Sequence, residues 1–251
     1  MNDVFVYNNS FVSLMGLVNH LIENKIKPSN IKNKEYSPTL FENIINLKIN
    51  DDNALDNIVN KTSSNIFKTI YYVYLSNDEF KELIIYYFYL NALKYKNNIF
   101  NMRKLKCVNS ALKISQFVSR ENHKYKGFLR FRELSNNILY AEIEPKNNIL
   151  EILGKHFKQR LRNEYWIIKD VRRNLICLYD KKDILILNSD SFSLHTTNNS
   201  DNEDKYKNMW TLFYNTIGIE SRKNDRCRMN FMPKRYWKYI TEMEDVNEKS
   251  C

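Results

Sequence analysis

The segment from residue 127 to residue 188 constrains the fold most, because short runs typical of β-strands follow one another there with turn residues between them. An asparagine-rich turn separates GFLRFREL from ILYAEIEP, the turn Arg172-Arg173-Asn174 separates EYWIIKDV from LICLYD, and DILIL follows. Such runs predict β-hairpins. The remaining helical patterns do not alternate regularly with single strands. The sequence therefore predicts an α+β protein, an antiparallel hairpin-built sheet packed with several amphipathic helices.

The first hairpin has a preferred register. A three-residue loop at 135–137 sets Arg130 opposite Glu142 and Arg132 opposite Tyr140, with the apolar residues of both strands on the other face. A two-residue loop would mix charge into the apolar face, so the longer loop is expected. The arrangement has two interpretations. It is either a pair of oriented phosphate-binding arginines or an exposed cross-strand ion pair, which would stabilise the fold by only about 0–1 kcal/mol.

Helical periodicity predicts the other elements. VFVY at 4–7 is a short strand, Ser10 caps the first helix, and 27–53 is a connection. Ser76 and Glu79 form a capping box that opens a long aromatic helix. Further helices are expected over 54–74, 103–122, 148–161 and 206–221, the last with Trp210, Phe213, Tyr214 and Ile217 inward, and Pro233 opens a short final helix.

Charge divides the chain unevenly. Residues 1–100, a helical N-terminal part of the same fold, carry ten basic and ten acidic residues. The positive charge lies in a basic α+β core, 101–240, within two blocks. Block 101–132 has nine basic residues against one acidic, and block 219–240 has seven against two. Residues 241–251 form an acidic tail that we expect to be disordered. Such blocks are either solvated faces or surfaces for an anionic partner.

Several classes of site are excluded by composition and motif. Four glycines leave no Gly-rich phosphate loop, and neither HExxH nor GxSxG is present. Four scattered cysteines without a CxxC pair argue against a disulfide framework or a cysteine metal site. We expect no metal and no cofactor. The beginning of the chain does not resemble a signal peptide and no apolar stretch reaches the length of a membrane span, so a cytoplasmic protein without membrane contact is expected.

Strand carboxylates are the candidate catalytic residues. Asp170 follows Trp166 and Ile168 at intervals of two residues, so in a strand the three side chains lie on one face. Because the other two are apolar, we expect this face to point toward the core. Together with Glu133 or Glu142, Asp170 would supply an acid, a base or a metal ligand. The alternative is a structural ion pair between Asp170 and a neighbouring cation. Whether the chain is an enzyme stays open at this point.

Basic residues interleaved with aromatic ones suit phosphate neutralisation combined with base stacking. The alternative is that the aromatic residues dock on the core while the charges face water. The candidate nucleic-acid-binding residues are Lys124, Lys126, Arg130, Arg132, Arg172, Arg173, Arg222, Arg228, Lys234, Arg235, Tyr236 and Trp237.

The stretches HKYKGFLRFREL, LYAEIEPKNNIL and WIIKDVRR, and that from TIGIESR to FMPKRYWKY, resemble the bacterial family described as "probable DNA metabolism protein". The resemblance spans most of the chain and is strongest over about 103–240. It implies a DNA-repair setting and a radical-SAM DNA repair or modification protein as partner, with no established reaction. Related domains are fused to uracil-DNA-glycosylase-like domains. The family pattern WIIHD is WIIKD here, with Lys169 in place of histidine, which counts against catalysis at that position.

The expected function is therefore binding of DNA phosphates through one basic surface, in company with the radical-SAM partner. The first alternative is an enzyme acting on damaged DNA, glycosylase- or nuclease-like, through Asp170 and a strand glutamate. The second is a protein-interaction module for the radical-SAM protein. If the first expectation holds, the two basic blocks should converge on one face.

Overall fold

The computed structural model describes residues 2–47, 54–135, 137–191, 200, 202–217, 219–222 and 224–243. The chain forms two compact units, Met1–Arg120 and Glu121–Cys251. The boundary falls inside helix α5 (Lys106–Phe128). Most of the loop expected at 189–204 and most of the acidic tail lie outside the described residues. Among those described, no helix has the length and apolar character needed to cross a membrane.

A three-stranded parallel sheet and a set of helices form the first unit. The sheet has the order β2-β1-β3, with β1 in the middle and its residues Val4 to Tyr7 buried. Ser10 caps α1 as expected, because its Oγ accepts from the Ser13 N–H at 3.1 Å. The elements before α5 are β1 (Asn2–Tyr7), α1 (Phe11–Glu23), β2 (Asn30–Asn33), β3 (Glu42–Asn46), α2 (Ala54–Lys61), α3 (Ser64–Leu75), α4 (Lys81–Tyr95) and a 3₁₀ helix (Lys96–Asn101).

Three predictions for this unit are wrong. The connection expected at 27–53 contains β2 and β3, which pair in parallel with β1. The single helix expected over 54–74 is broken between α2 and α3. Ser76 does not open α4, because its Oγ donates to the Val73 carbonyl at the end of α3. Short polar strands such as β2 lack the apolar alternation by which a strand is recognised.

A five-stranded sheet forms the centre of the second unit. Its order is β4-β5-β6-β7-β8; β5 and β6 are parallel and the other neighbours antiparallel, so the sheet is mixed and not purely hairpin-built. Helix α6 connects the parallel pair, as a parallel connection requires. The elements after α5 are β4 (Arg132–Glu133), β5 (Leu139–Ile143), α6 (Leu150–Arg160), β6 (Trp166–Asp170), β7 (Leu175–Tyr179), β8 (Ile184–Asn188), α7 (Glu203–Ile217), α8 (Asp225–Phe231) and 3₁₀ helices at Ser189–Ser191, Glu220–Arg222, Lys234–Tyr239 and Thr241–Met243.

The first hairpin has the predicted register over Arg132 and Glu133, but its first strand is shorter: Arg130 precedes β4, so the expected pairing of Arg130 with Glu142 is not formed. Arg132 lies opposite Tyr140, and the N–H of Leu134 donates to the Ile138 carbonyl at 2.9 Å, which confirms the three-residue loop. Asn137 closes it with a φ of 59°, the left-handed conformation that asparagine tolerates. GFLRFREL is not a strand throughout, because α5 continues to Phe128.

Helix α6 covers one face of this sheet. A Cβ on Gly154 of α6 would lie 2.6 Å from Cys177 Sγ, so the helix packs closely on the sheet face that carries Cys177. Phe131 joins the same side, with its ring 5.1 Å from Phe157 and 6.4 Å from Trp166. The residues on either side of Phe131 therefore belong to the opposite face.

Candidate functional site

Arg132 lies on the sheet face that α6 leaves uncovered. Its guanidinium group lies 5.0 Å from the centre of the Tyr140 ring. The Tyr140 hydroxyl donates to Glu142 Oε1 at 2.7 Å. Burial, and then the bond to Glu142, raise the pKa of Tyr140 above its usual value, so this hydroxyl stays protonated. The guanidinium of Arg132 therefore lies against the buried ring of Tyr140, and the hydrogen bond to Glu142 fixes the position of that ring.

The guanidinium of Arg132 is exposed. Within the part of the chain that the structure describes, it forms no hydrogen bond and no ion pair. Its planar set of N–H donors is therefore available to an oxyanion, which such a fork binds in bidentate geometry.

Arg130 is held differently. Its Nη1 donates to the Gly127 carbonyl at 2.9 Å, at the end of α5. Its guanidinium carbon lies 5.9 Å from the centre of the Trp210 ring on α7. These contacts keep the charge of Arg130 beside that of Arg132, and both arginines line one cleft.

We call this cleft the arginine cleft; its volume is about 280 Å³. Lys207 of α7 and Lys238 of the C-terminal 3₁₀ helix add two cations to it, while Glu142 and Glu203 are its carboxylates. The hydrogen bond with Tyr239 raises the pKa of Lys238, so this lysine is charged at neutral pH. Its lining residues are Arg130, Phe131, Arg132, Tyr140, Ala141, Glu142, Glu203, Lys207, Lys238, Tyr239 and Thr241.

Residues of both basic blocks meet in the arginine cleft. Arg130 and Arg132 come from the first block and Lys238 from the second, although about a hundred residues separate them. Lys207 comes from neither block. Convergence in this cleft therefore holds for Arg130, Arg132 and Lys238, and not for the other described cations of the two blocks.

A larger groove, about 910 Å³, shares Arg130 and Lys207 with the arginine cleft. We call it the aromatic groove. Helix α7 lines it with Tyr206, Met209, Trp210 and Phe213, which are 58%, 57%, 42% and 52% exposed. The prediction that Trp210, Phe213 and Ile217 point inward is therefore wrong. Glu133 and Leu139, at the edge of the sheet, line the opposite side.

The edge of β4 fixes the start of α7. Glu203 Oε2 accepts from the Glu133 N–H at 2.8 Å. The N–H of Ser200 donates to the Glu133 carbonyl at 2.9 Å, and its hydroxyl lies 3.3 Å from Glu133 Oε2. The backbone of Glu133, a predicted catalytic residue, thus holds the start of α7 beside the sheet and helps to form the groove.

Asp170 is completely buried and bonded, as its parity predicted. Its Oδ1 accepts from the N–H groups of Arg172 and Arg173 at 3.0 and 3.2 Å, and its Oδ2 lies 3.0 Å from Arg173 Nη1. Arg173 also donates to the carbonyls of Pro145 and Lys146. Burial raises the pKa of Asp170 more than Arg173 lowers it. The pair closes the β6–β7 turn and ties it to the loop before α6.

The three candidate catalytic carboxylates are not brought together. Glu142 lies opposite Lys169, while Asp170 lies opposite Ile143, so the two carboxylates project from opposite faces of the sheet. Glu133 of β4 lies opposite Leu139, at the other end of β5. No group of three or more metal-ligating side chains occurs among the described residues.

Three of the predicted phosphate-binding arginines form ion pairs with carboxylates. Arg173 is bonded to Asp170, Arg228 lies 2.9 Å from Asp225, and Arg235 lies 3.4 Å from the buried Glu121. These contacts belong to the architecture of the unit. The side chains of Lys126, Arg172, Arg222 and Lys234 form no ion pair with a described residue and lie outside the arginine cleft, and Lys124 lies 5.9 Å from the Tyr236 ring.

The two predicted stacking residues are buried. Tyr236 is 2% exposed and packs against Tyr125 and Phe128 at 5.0 and 5.3 Å. Trp237 is 4% exposed and its Nε1 donates to the Met232 carbonyl at 2.9 Å. A base has no access to either ring. Trp210 and Phe213 of α7, which the sequence pattern placed in the core, are exposed instead.

A search of the curated proteins found no match, and neither did a search of the solved structures. A family model, described as a domain of unknown function, DUF4130, matches residues 79–242. The match covers more than half of the chain and includes every residue of the arginine cleft. This chain belongs to the DUF4130 family.

Proposed function

We propose that this protein binds the phosphate backbone of DNA in the arginine cleft. The chemistry of the cleft supports an oxyanion ligand, and the sequence resemblance to the DNA-metabolism family supports DNA as its source. On that resemblance alone, we also propose that the protein acts in DNA repair together with a radical-SAM protein.

One observation carries the proposal: the exposed guanidinium of Arg132, stacked on Tyr140 and without an acidic partner among the described residues. A solvated arginine needs no supporting ring, whereas an arginine that binds phosphate gains from a fixed plane, because less side-chain entropy is lost on binding. Arg130, Lys207 and Lys238 surround it with further positive charge. Phosphate contacts of this kind give affinity without sequence preference.

The enzyme alternative has less support. Asp170 is bonded to Arg173 and to two backbone N–H groups, and the carboxylate of Glu133 lies 3.3 Å from the hydroxyl of Ser200, near the start of α7. Glu142 is the one member of the three that lines the cleft, where it accepts from Tyr140. This bond suits Glu142 to the orientation of Tyr140 and, through that ring, of Arg132.

The proposal is tested by Arg132→Glu, with Arg160→Glu as matched control. Arg160 ends α6, which packs on the other face of the sheet, and it is also exposed. Each variant changes the charge of the chain equally. Anisotropy of labelled single- and double-stranded oligonucleotides is measured over a salt series, and circular dichroism verifies the fold.

We expect Arg132→Glu to weaken DNA binding and to reduce the slope of log affinity against log salt by about 0.7 on single strands or about 0.9 on duplex. Arg160→Glu should change the slope much less. If the two variants weaken binding equally, the effect is one of net charge and the arginine cleft is not the site. Unaltered binding by a folded Arg132→Glu would refute the proposal and favour the protein-interaction alternative.

A further inference from the structure

We infer that the aromatic groove binds unstacked bases, so that the DNA held by the arginine cleft is single-stranded. The inference rests on the proposed function and adds the strand state that the site selects. It is carried by the side chains of α7 and by their position beside the cations of the cleft.

The apolar side chains of α7 form a stripe at helical spacing. Tyr206, Trp210, Phe213 and Ile217 follow one another at intervals of three or four residues, and each is more than 40% exposed. Soluble proteins seldom expose such a stripe unless a ligand or partner binds it. The Trp210 and Phe213 rings lie 5.8 Å apart with an angle of 35° between their planes, so together they present a continuous aromatic surface.

The charges at the rim indicate which ligand covers this surface. Arg130 and Lys207 belong to both the groove and the cleft, and Arg130 lies 5.9 Å from the Trp210 ring. A ligand that occupies both sites must be anionic at one edge and flat and apolar at the other. A nucleotide in a single strand has this character, because its phosphate and its base are separated by one sugar.

Duplex DNA fits the surface less well. Its bases are stacked on one another and paired, so their faces are not available to Trp210 or Phe213. Proteins that bind single strands combine a positive track with aromatic side chains, and this stacking accepts every base. The volume of the groove, about 910 Å³, falls within the range of pockets that bind organic ligands.

The experiment uses tryptophan fluorescence, because Trp210 is the exposed member of the three tryptophans. Trp166 and Trp237 are 0% and 4% exposed. Three ligands of equal length, about 12 nucleotides, are titrated into the full chain: oligothymidine, a strand of abasic sites that keeps the phosphates, and a duplex. Anisotropy of each labelled ligand is followed in parallel.

We expect oligothymidine to bind and to quench Trp210, and the abasic strand to bind more weakly without quenching. Loss of one stacked base should weaken binding roughly 5- to 100-fold. Trp210→Leu should lose the quenching and reduce the preference for bases over abasic sites, whereas Trp210→Phe should restore that preference. Leu212→Ala, on the same helix but outside the groove, should behave as wild type.

Each of the following outcomes would overturn the inference. If the abasic strand binds as tightly as oligothymidine, or the duplex binds more tightly than either without quenching, phosphate binding stands and base stacking is refuted. If Trp210→Leu weakens all three ligands equally, the ring acts only through Arg130. If the wild-type chain self-associates in sedimentation and Trp210→Leu is monomeric, a second copy covers the stripe. Absence of binding to any ligand would refute the proposed function as well.

Discussion

Replacement of Asp170 by asparagine or alanine separates its structural role from a catalytic one. Asparagine keeps an oxygen that accepts from the N–H groups of Arg172 and Arg173, but it loses the 3.0 Å contact between Oδ2 and Arg173 Nη1. Alanine loses all three contacts. Arg173 keeps its bonds to the carbonyls of Pro145 and Lys146 in both variants, so its charge is not left without partners.

The contacts that each variant loses determine the expected decrease in the free energy of unfolding. A hydrogen bond to a charged group contributes about 1.5–3 kcal/mol, which is the loss expected for Asp170→Asn. Asp170→Ala should lose about 3–5 kcal/mol, because two turn N–H groups also lose their acceptor. For a chain of this size, 1 kcal/mol corresponds to about 2–4 °C in Tm. The asparagine variant should therefore melt about 3–12 °C below wild type.

The assay follows the unfolding of the second unit. All three tryptophans lie in that unit, so their emission reports its unfolding in urea or on heating. Arg173→Met leaves the buried carboxylate without a cation and should destabilise the unit by about 3–5 kcal/mol. The double variant Asp170→Asn with Arg173→Met should lose less than the sum of the two single losses.

Two results would refute this account of Asp170. One is an asparagine variant that unfolds at the wild-type temperature. The other is additivity in the double variant, which would mean that the pair contributes nothing. DNA affinity of folded Asp170→Asn should equal that of wild type; a selective loss of binding or of turnover on lesion-bearing oligonucleotides, with stability unchanged, would restore the enzyme alternative.

Two further predictions concern the packing of α6 on the sheet. Gly154→Ala should destabilise the second unit by about 1–2 kcal/mol in urea unfolding, because its methyl group would lie 2.6 Å from Cys177 Sγ. Adding Cys177→Ala should remove most of this loss. A Gly154→Ala variant as stable as wild type would contradict the close contact. Burial raises the pKa of Cys177 to about 12, so at pH 8 iodoacetamide should alkylate the exposed Cys227 and leave Cys177 unmodified until urea unfolds the unit, as judged by mass spectrometry.

Local patterns predicted the hairpins and the burial of Asp170. The register of Arg132 and Tyr140 follows from the alternation of charged and apolar residues, because a slip of one residue exchanges the two faces. The turn between β6 and β7 follows from its polar residues, and the parity of Asp170 with Trp166 placed it in the core. Each of these features depends on residues that are near one another in the chain.

Local patterns did not predict which distant strands pair or which distant residues come together in the cleft. β5 pairs in parallel with β6 across the whole of α6, and nothing in either strand specifies that neighbour. In α7, the apolar stripe indicates a face that avoids water but not what covers it. Lys207 and Lys238 reach the arginine cleft only through the tertiary fold, and the one available signal for Lys207 was its position on α7 beside that stripe.

Counting the charges in a sequence block therefore gives more phosphate-binding cations than the cleft contains. The salt series distinguishes binding by the four cations of the cleft from binding by all ten proposed cations. The sequence proposed ten cations for DNA. The structure gathers four in the arginine cleft, two of them from that set, and bonds Arg173, Arg228 and Arg235 to carboxylates. At about 0.7 per phosphate on single strands, four contacts give a slope near −3, whereas ten would give a slope near −7. A wild-type slope close to the larger value would mean that DNA contacts the solvated lysines and arginines outside the cleft, because Arg173 and Arg235 cannot exchange their buried carboxylate partners for phosphate without loss of stability.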